Sequence, residues 1–211
     1  MNLFLKTGSM NKSNSYKVKR IFDFTVSCLG LIFFAPLLVF IYLLNKLIHP
    51  KDPAIFKQNR IGYKGELFTI YKFRTMNTYH KGSSVSIAGE DRITRFGAFL
   101  RKFKLDELPE LYNVLINDMS FVGPRPDVPG FADKLVGEDK KILDLKPGIT
   151  GPASLLFANE EELLSKVDNP VKYNLEVIYP KKIKINLDYY YNNSLYIDLV
   201  IIFRTIFRTN Y

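Results

Sequence analysis

The chain has 211 residues, 47% of them hydrophobic, and a formal net charge of +9. That length fits one compact domain, or one domain with a membrane anchor. The positive charge indicates an anionic partner, such as nucleic acid, lipid headgroups or a phosphorylated substrate. The single cysteine, Cys28, excludes both a disulfide within the chain and a cysteine-based zinc site. His49 and His80 stand alone in the sequence, and we interpret both as structural or surface residues.

An apolar stretch follows a polar N-terminus, which we expect to be flexible over residues 1–16. Residues 24–44 carry no charge, and this run of roughly 21 residues is about as long as a membrane-spanning helix. No small-residue cleavage site follows it, so the stretch does not fit a signal peptide. Pro36 lies near its middle, where a proline removes a backbone hydrogen bond and kinks a helix.

Basic residues flank this stretch on both sides. They are Lys12, Lys17, Lys19 and Arg20 before it, and Lys46, Lys51, Lys57 and Arg60 after it. The positive-inside tendency would place both ends in the cytoplasm, which favours a re-entrant helix that enters and leaves by the same face of the membrane. An ordinary spanning helix with a tolerated proline fits the composition about as well.

Two short strands are predicted over residues 54–58 and 67–76. Side chains alternate between the two faces of a strand, and one face of the second strand changes from apolar to basic as it reaches Lys72 and Arg74. These two cations could serve a binding site, or they could mark the solvated end of a strand.

Residues 78–90 contain glycine and serine without periodicity and are predicted to form a mobile loop. Residues 92–104 place apolar side chains on one helical face and basic side chains elsewhere, which predicts a basic amphipathic helix. Such a helix could lie on an anionic membrane surface, or pack on the core with a solvated basic face. In both cases it brings Arg101 beside Asp106.

Two adjacent carboxylates, Asp106 and Glu107, precede an apolar run with helical spacing. Proline is tolerated in the first turn of a helix, so Pro109 predicts a helix that begins at residue 105 or 106 and runs towards Asn117. An acidic pair at a helix start is usually only a cap. Here it is surrounded in sequence by cations: Arg101, Lys102, Lys104 and Arg125. That setting suits phosphoryl transfer, in which a protein neutralises phosphate oxygens while a nucleophile attacks phosphorus.

The segment after this helix, residues 120–126, is predicted to be irregular, because Gly123 and two prolines do not continue a helix. Pro124 and Pro126 limit the backbone freedom of Arg125, whose guanidinium can hold a phosphate through two hydrogen bonds.

The remaining segments are predicted from their periodicity and turn residues. Residues 131–144 are expected to be helical, residues 146–152 turn-rich, and residues 187–207 helical. The last of these is too charged to span a membrane cleanly, so we expect it to pack on the domain or to lie at the membrane interface.

These motifs together resemble the monotopic phosphoglycosyl transferases, the bacterial sugar transferases that initiate surface-polysaccharide synthesis. The matching pieces are Leu105-Asp106-Glu107-Leu108, Asn113-Val114-Leu115, the run from Asp118 to Pro126, and Lys146-Pro147-Gly148-Ile149-Thr150-Gly151. Residues 17–36 and 56–76 also look like family sequence, so the resemblance covers nearly the whole chain.

The resemblance implies an α/β fold, mostly α, of the small single-domain form. A re-entrant membrane helix over residues 17–50 would anchor a catalytic domain over residues 51–211, with amphipathic helices at the interface. The domain would lie on the cytoplasmic face of the bacterial inner membrane, in contact with phospholipid. Family members break the anchor at a Ser-Pro pair, whereas this chain has Ala35-Pro36, so the hydroxyl that could bond a freed carbonyl is missing.

The same resemblance implies transfer of a sugar-1-phosphate from a UDP-sugar to undecaprenyl phosphate, with release of UMP. Asp106 would be the nucleophile and form a covalent aspartyl-phosphosugar intermediate, and Asp106 and Glu107 would hold Mg²⁺. The expected phosphate-binding groups are Lys72, Arg74, Arg101 and Arg125, with Pro124 and Pro126 shaping the turn. No nucleic acid is expected, and the formation of a homo-oligomer stays open.

Two rival functions are weighed against this one. The same acids and cations would support a membrane-bound nucleotide-sugar hydrolase, and the charge alone would support a non-catalytic basic module that binds lipid.

The match to the family weakens after Gly151, where many members continue with Trp-Ala-Gln and a later arginine near an asparagine. This chain has Pro152-Ala153-Ser154 and then Ala158 beside Asn159, so if that arginine contacts the nucleotide sugar in those members, Ala158 does not make the same contact here.

Overall fold

A computed structural model describes residues 12–77 and 93–207. The predicted loop over residues 78–90 and residues 1–11 of the predicted flexible N-terminus lie outside the described residues. The described part is mostly helical with two small sheets, which confirms the predicted α/β class.

The helices are α1 (Lys12–Ile48), α2 (Arg95–Lys102), α3 (Glu110–Leu115), α4 (Pro152–Leu156), α5 (Glu160–Leu164), α6 (Pro170–Tyr173), α7 (Tyr179–Asn192) and α8 (Leu195–Phe207). The strands are β1 (Ile55–Ile61), β2 (Leu67–Phe73), β3 (Ser120–Val122) and β4 (Gly148–Thr150). Short 3-10 turns cover Tyr63–Gly65, Leu105–Glu107, Ala132–Lys134 and Gly137–Asp144, and a π turn covers Asn174–Ile178.

The structure differs from the sequence prediction in several segments. Ser120–Val122 is a strand rather than irregular chain, because it pairs in parallel with Gly148–Thr150. Residues 131–144 form two 3-10 turns rather than one helix. The helix predicted over residues 187–207 is interrupted between α7 and α8, where Asn193 adopts an extended backbone conformation.

The antiparallel pair β1–β2 supports one side of the site. Lys72 on β2 lies opposite Phe56, and Arg60 on β1 lies opposite Phe68. Ile70 is 2% exposed and packs with the buried Val114 and Met119 beneath the sheet. This packing ties β2 to the chain segment that follows the acidic pair.

The parallel pair β3–β4 supports the other side, through unusually close backbones. A Cβ added to Gly123 would meet the Lys146 carbonyl at 2.1 Å, and one added to Gly148 would meet the Gly123 nitrogen at 2.2 Å. Any side chain at either position would therefore push the two strands apart. The close approach fixes the start of the Pro124-Arg125-Pro126 turn.

Helix α1 has 37 residues, with Pro36 inside it. Within the described part of the chain it is the one helix long and apolar enough to cross a membrane, judged by length and composition. One face lies along the rest of the domain: Lys19 pairs with Asp198 at 2.5 Å, and the amide of Asn45 donates to the Arg74 carbonyl at 3.0 Å. The apolar side chains that it leaves exposed include Ile21, Leu29, Ile32, Phe33, Phe40 and Leu47.

Candidate active site

The acidic pair lies in a tight turn between two helices. Helix α2 ends at Lys102, and Lys104 adopts a left-handed conformation with φ of 58°. This reverses the chain into the 3-10 turn Leu105–Glu107, and Pro109 then caps α3, which begins at Glu110. Asp106 and Glu107 therefore precede the helix and do not form its first turn, contrary to the prediction.

Lys72 joins this turn to the sheet. Its ammonium lies 2.8 Å from Glu107 Oε1 and 2.9 Å from Glu110 Oε1. Arg125 contacts the same Glu107 oxygen, with its Nη1 3.5 Å away. Glu107 and Glu110 are largely removed from water, at 11% and 3% side-chain exposure, whereas Arg125 is half exposed at 49%. We call Asp106, Glu107, Glu110, Lys72 and Arg125 the carboxylate cluster.

Asn113 sets the register between α3 and β2. Its amide nitrogen donates to the Thr69 carbonyl at 2.7 Å, and its amide oxygen accepts from the Tyr71 N–H at 3.2 Å. Asn113 is fully buried, so both backbone groups would be left without water if the side chain were removed. The clamp on Tyr71 places the next residue, Lys72, against Glu110 one helical turn earlier.

The Pro124-Arg125-Pro126 turn is held by backbone carbonyls on both sides of the arginine. The Pro124 carbonyl accepts from the Gly148 N–H at 2.9 Å, and the Pro126 carbonyl accepts from the Arg60 guanidinium at 3.1 Å. The Arg125 side chain is therefore presented on a fixed backbone. This agrees with the restricted turn expected from the two prolines.

The two glutamates of the cluster have opposite pKa shifts. Burial raises the pKa of Glu107, but the positive charges of Lys72, Arg125 and Lys104 outweigh burial and hold this pKa well below its usual range. Burial raises the pKa of Glu110 to about 7, with Lys72 acting against this and Glu107 adding to it. Glu107 is thus an anion at neutral pH, and of the two glutamates Glu110 takes up a proton first.

Asp106 is a largely buried carboxylate. It is only 9% exposed, and its Oδ1 is buried without a hydrogen-bond partner among the described residues. Burial and the neighbouring Glu107 raise the pKa of Asp106, against Lys72, Lys104 and Arg101. The carboxylate is therefore held beside the cations, with one oxygen that makes no hydrogen bond to the described residues.

Two of the predicted phosphate-binding residues lie outside the cluster. Arg101 ion-pairs with Glu161 of α5, although its charge still acts on Asp106. Arg74 donates to the Pro53 carbonyl at 2.7 Å and lies over the Phe56 ring. The structure brings together Asp106, Glu107, Lys72 and Arg125, and the turn prolines Pro124 and Pro126 with them.

Sequence reasoning missed Glu110, Asn113 and Arg60. Glu110 follows Asp106 by four residues and Glu107 by three, a spacing that puts side chains on one face of a helix and could have signalled the third carboxylate. Asn113 and Arg60 act on residues far away in sequence, Tyr71 and Pro126. Local patterns carry no signal for either contact.

The carboxylates fit one type of metal site. Within residues 12–77 and 93–207, no group of three or more histidine, cysteine, aspartate or glutamate side chains could hold a metal ion. Magnesium, however, usually keeps several waters and takes one or two carboxylates together with substrate phosphates. The unpartnered oxygen of Asp106 and the adjacent Glu107 suit an ion of that kind.

Comparison with known families places this geometry in context. The family model described as "Bacterial sugar transferase" matches residues 14–210, which is nearly the whole chain. The chain belongs to the bacterial sugar transferase family. The carboxylate cluster of this sugar transferase is therefore its candidate active site.

Curated relatives of this sugar transferase carry related names. A UDP-N-acetylgalactosamine-undecaprenyl-phosphate N-acetylgalactosaminephosphotransferase of Aeromonas hydrophila is 35% identical, over 94% of this chain and 45% of its own length. The exopolysaccharide production protein PSS of Rhizobium leguminosarum bv. phaseoli is 37% identical, over 90% of this chain and 93% of its own. A UDP-glucose:undecaprenyl-phosphate glucose-1-phosphate transferase of Caulobacter vibrioides is 37% identical, over 89% and 68%. The chain thus spans less than half of the first relative and nearly all of the second.

Proposed function

We propose that this sugar transferase moves a sugar-1-phosphate from a UDP-sugar to undecaprenyl phosphate, and so begins the synthesis of a surface glycoconjugate. The observation that carries this proposal is the buried Asp106, with one oxygen unpartnered, beside a Glu107 that is bound by Lys72 and Arg125. A carboxylate nucleophile surrounded by cations is what transfer of a phosphoryl group needs. The names of the relatives support both substrate classes.

The reaction would proceed in two displacements at one phosphorus. An Asp106 oxygen attacks the phosphorus that bears the sugar, the bond from that phosphorus to the bridging diphosphate oxygen breaks, and UMP leaves with the electron pair. An oxygen of the lipid phosphate then attacks the same phosphorus, and the bond to Asp106 breaks. The aspartate carboxylate is regenerated, and the product is a lipid-linked diphosphosugar.

The cations of the cluster would neutralise negative charge on the substrate phosphates. Arg125 is half exposed and can turn one face to the diphosphate while it contacts Glu107. Lys72 contacts both Glu107 and Glu110 and would lie beside the bound diphosphate. Mg²⁺ held by Asp106 and Glu107 would neutralise diphosphate oxygens when bound.

Product analysis tests this activity against hydrolysis of the nucleotide sugar. We expect UMP release and lipid-linked sugar to appear in equal amounts, and steady release to require the polyprenyl phosphate, because water is a poorer acceptor at a site built for a phosphate anion. A panel of UDP-sugars, assayed with and without the lipid, measures both products. Equal release in the absence of lipid, together with free sugar phosphate, would show a hydrolase instead.

The anchor is proposed to be re-entrant, with both ends on the cytoplasmic face of the inner membrane. Arg20 donates to the Val114 carbonyl at 2.7 Å, and Asn45 donates to the Arg74 carbonyl at 3.0 Å. At about 1.5 Å per residue these two helix positions are roughly 38 Å apart, more than the hydrocarbon core of about 30 Å. A water-exposed domain that contacts both positions is hard to reconcile with a helix that spans the membrane.

Cysteine labelling of sealed vesicles tests this topology. In a Cys28→Ser background, Lys12→Cys and Lys57→Cys should react with a membrane-impermeant maleimide from the same, cytoplasmic side. The reason is that positive charges flank the helix on both sides and favour that compartment. A permeant maleimide controls for thiols that are buried. Labelling of the two positions from opposite sides would contradict the re-entrant anchor.

A further inference from the structure

A small cavity is lined by members of the carboxylate cluster and by one cation outside the cluster, Arg60. Its volume is about 10 Å³, and its lining includes Arg60, Lys72, Glu110 and Arg125. A space of that size takes about one water-sized group, such as a single oxygen of a phosphate. Three positive side chains therefore meet around a space that fits one anionic oxygen.

Among the described residues, the hydrogen bonds of Arg60 leave one of its three guanidinium nitrogens without a partner. Nη1 donates to the Pro126 carbonyl at 3.1 Å, and Nη2 donates to Gln58 Oε1 at 2.6 Å. Nε is buried and has no hydrogen-bond partner within residues 12–77 and 93–207. A guanidinium has only donors, and leaving one of them buried and unused is unfavourable. A ligand that accepts from this donor would remove the penalty.

The charge around Arg60 leads to the same conclusion. Burial lowers the pKa of Arg60, and the positive charge of Arg125 lowers it further, against Asp127 and Glu110. Lys72 and Arg125 each have a carboxylate partner, but no carboxylate of the described residues lies within ion-pair distance of Arg60. The guanidinium groups of Arg60 and Arg125 line the same cavity and repel each other. An anion between them would attract both.

We propose that Arg60 is a further phosphate-binding residue, whose guanidinium joins Arg125 and Lys72 in holding a phosphate group of the substrate. The Arg60 side chain also donates to the Pro126 carbonyl. It would therefore both bind the phosphate and stabilise the turn that carries Arg125. This inference rests on the proposed function for the identity of its ligand. The shared chemistry of the ligand is a phosphate, supplied by the diphosphate of the donor or by the phosphate of the lipid acceptor.

Binding of inorganic pyrophosphate and of inorganic phosphate to the full chain in detergent gives a readout without turnover. We expect Arg60→Gln to weaken pyrophosphate binding by about ten-fold or more, the usual effect of losing a hydrogen bond to a charged group. Arg60→Lys should restore only part of it, because a lysine keeps the charge but not the planar fork. Lys57→Gln, which removes an exposed charge from the same strand, should bind within two-fold of the wild type.

A double-variant cycle separates direct contact from positioning of Arg125. If Arg60 contacts the phosphate, Arg60→Gln should weaken pyrophosphate binding further in the Arg125→Gln background, although the two losses need not multiply because the two side chains share one ligand. If Arg60 acts only by holding the turn, its replacement should change nothing in the Arg125→Gln background, and that result would overturn the proposal. The thermal unfolding midpoint of each variant identifies misfolding, and the folded Arg60→Lys variant then carries the test.

The source of the phosphate is decided in the two halves of the reaction. A loss confined to UMP release in the absence of lipid would assign Arg60 to the donor diphosphate. A loss confined to the subsequent transfer would assign it to the lipid phosphate. Unchanged pyrophosphate and phosphate binding in folded Arg60→Gln would overturn the inference, whatever the enzyme does. A wild type that binds pyrophosphate through Arg60 but transfers no sugar would instead refute the proposed function alone.

Discussion

Replacing Asp106 by asparagine is expected to lower turnover by about 10⁴-fold or more, the scale of loss seen when a covalent nucleophile is removed. The amide has nearly the same shape as the carboxylate, but it lacks the charge and the nucleophilic oxygen. The variant leaves the contacts of Glu107 with Lys72 and Arg125 in place. It should therefore fold and bind the UDP-sugar while forming no product. Steady-state UMP release and binding of the UDP-sugar measure the two properties.

A matched variant and two alternative outcomes make this prediction specific. Asp139→Asn removes an exposed carboxylate elsewhere in the domain and should leave the rate unchanged. Near-normal turnover by Asp106→Asn would contradict a nucleophilic role for this aspartate. If instead the wild type catalyses no reaction, and Asp106→Asn binds anionic lipid more tightly, the chain would be a basic lipid-binding module.

Removal of divalent metal is expected to lower turnover by about 100-fold or more, since metal neutralisation of phosphate oxygens contributes several kcal/mol. Asp106 and Glu107 offer two adjacent carboxylates, the kind of partial site that Mg²⁺ completes with water and diphosphate oxygens. UMP release should stop in excess chelator, return with added Mg²⁺, and tolerate Mn²⁺ as a replacement. Calcium provides the control, because its longer oxygen bonds do not fit the same geometry.

Full activity in excess chelator would remove the metal from the reaction. The positively charged side chains alone would then neutralise the diphosphate. In that case Arg125→Gln and Arg60→Gln should each reduce activity more than metal removal does.

Much of the fold was predictable because its signals are local. The amphipathic period over residues 92–104 predicted α2, and the alternation over residues 67–76 predicted β2. Thr94 accepts a hydrogen bond from the Gly97 N–H and sets the start of α2, which explains why the helix begins later than the periodic stretch. Asn117 has a φ of 75°, and this left-handed conformation follows the end of α3 as it does at many helix ends.

The parts that the sequence did not predict depend on distant residues. Ser120–Val122 becomes a strand only because Gly148–Thr150 runs beside it. The sequence pattern of residues 120–126 gives no information about that partner strand. Pro109 was correctly placed near a helix start, but the left-handed Lys104 creates a separate turn before it. The acids of that turn are therefore more buried than a helix N-terminus would leave them.

For the site, too, the sequence predicted several of the residues that come together but not their surroundings. Asp106, Glu107, Lys72 and Arg125 were predicted and lie together, with Lys72 binding Glu107 across 35 positions of sequence. Arg101 was expected to face the same carboxylates, yet it pairs with Glu161, whose position depends on how α5 packs. Burial of Asp106 also comes from tertiary packing, so its raised pKa was not accessible from neighbouring charges alone.

Intact mass measurement after mixing with a UDP-sugar, without lipid acceptor, tests the central claim most directly. The account predicts that rapid quenching in acid traps a wild-type protein heavier by one sugar phosphate. Fragmentation should place the addition on Asp106, and Asp106→Asn should not gain it. Addition of polyprenyl phosphate before the quench should remove the mass and produce lipid-linked sugar. A wild type that turns over without ever carrying this mass would contradict the covalent route and favour direct attack by the lipid phosphate.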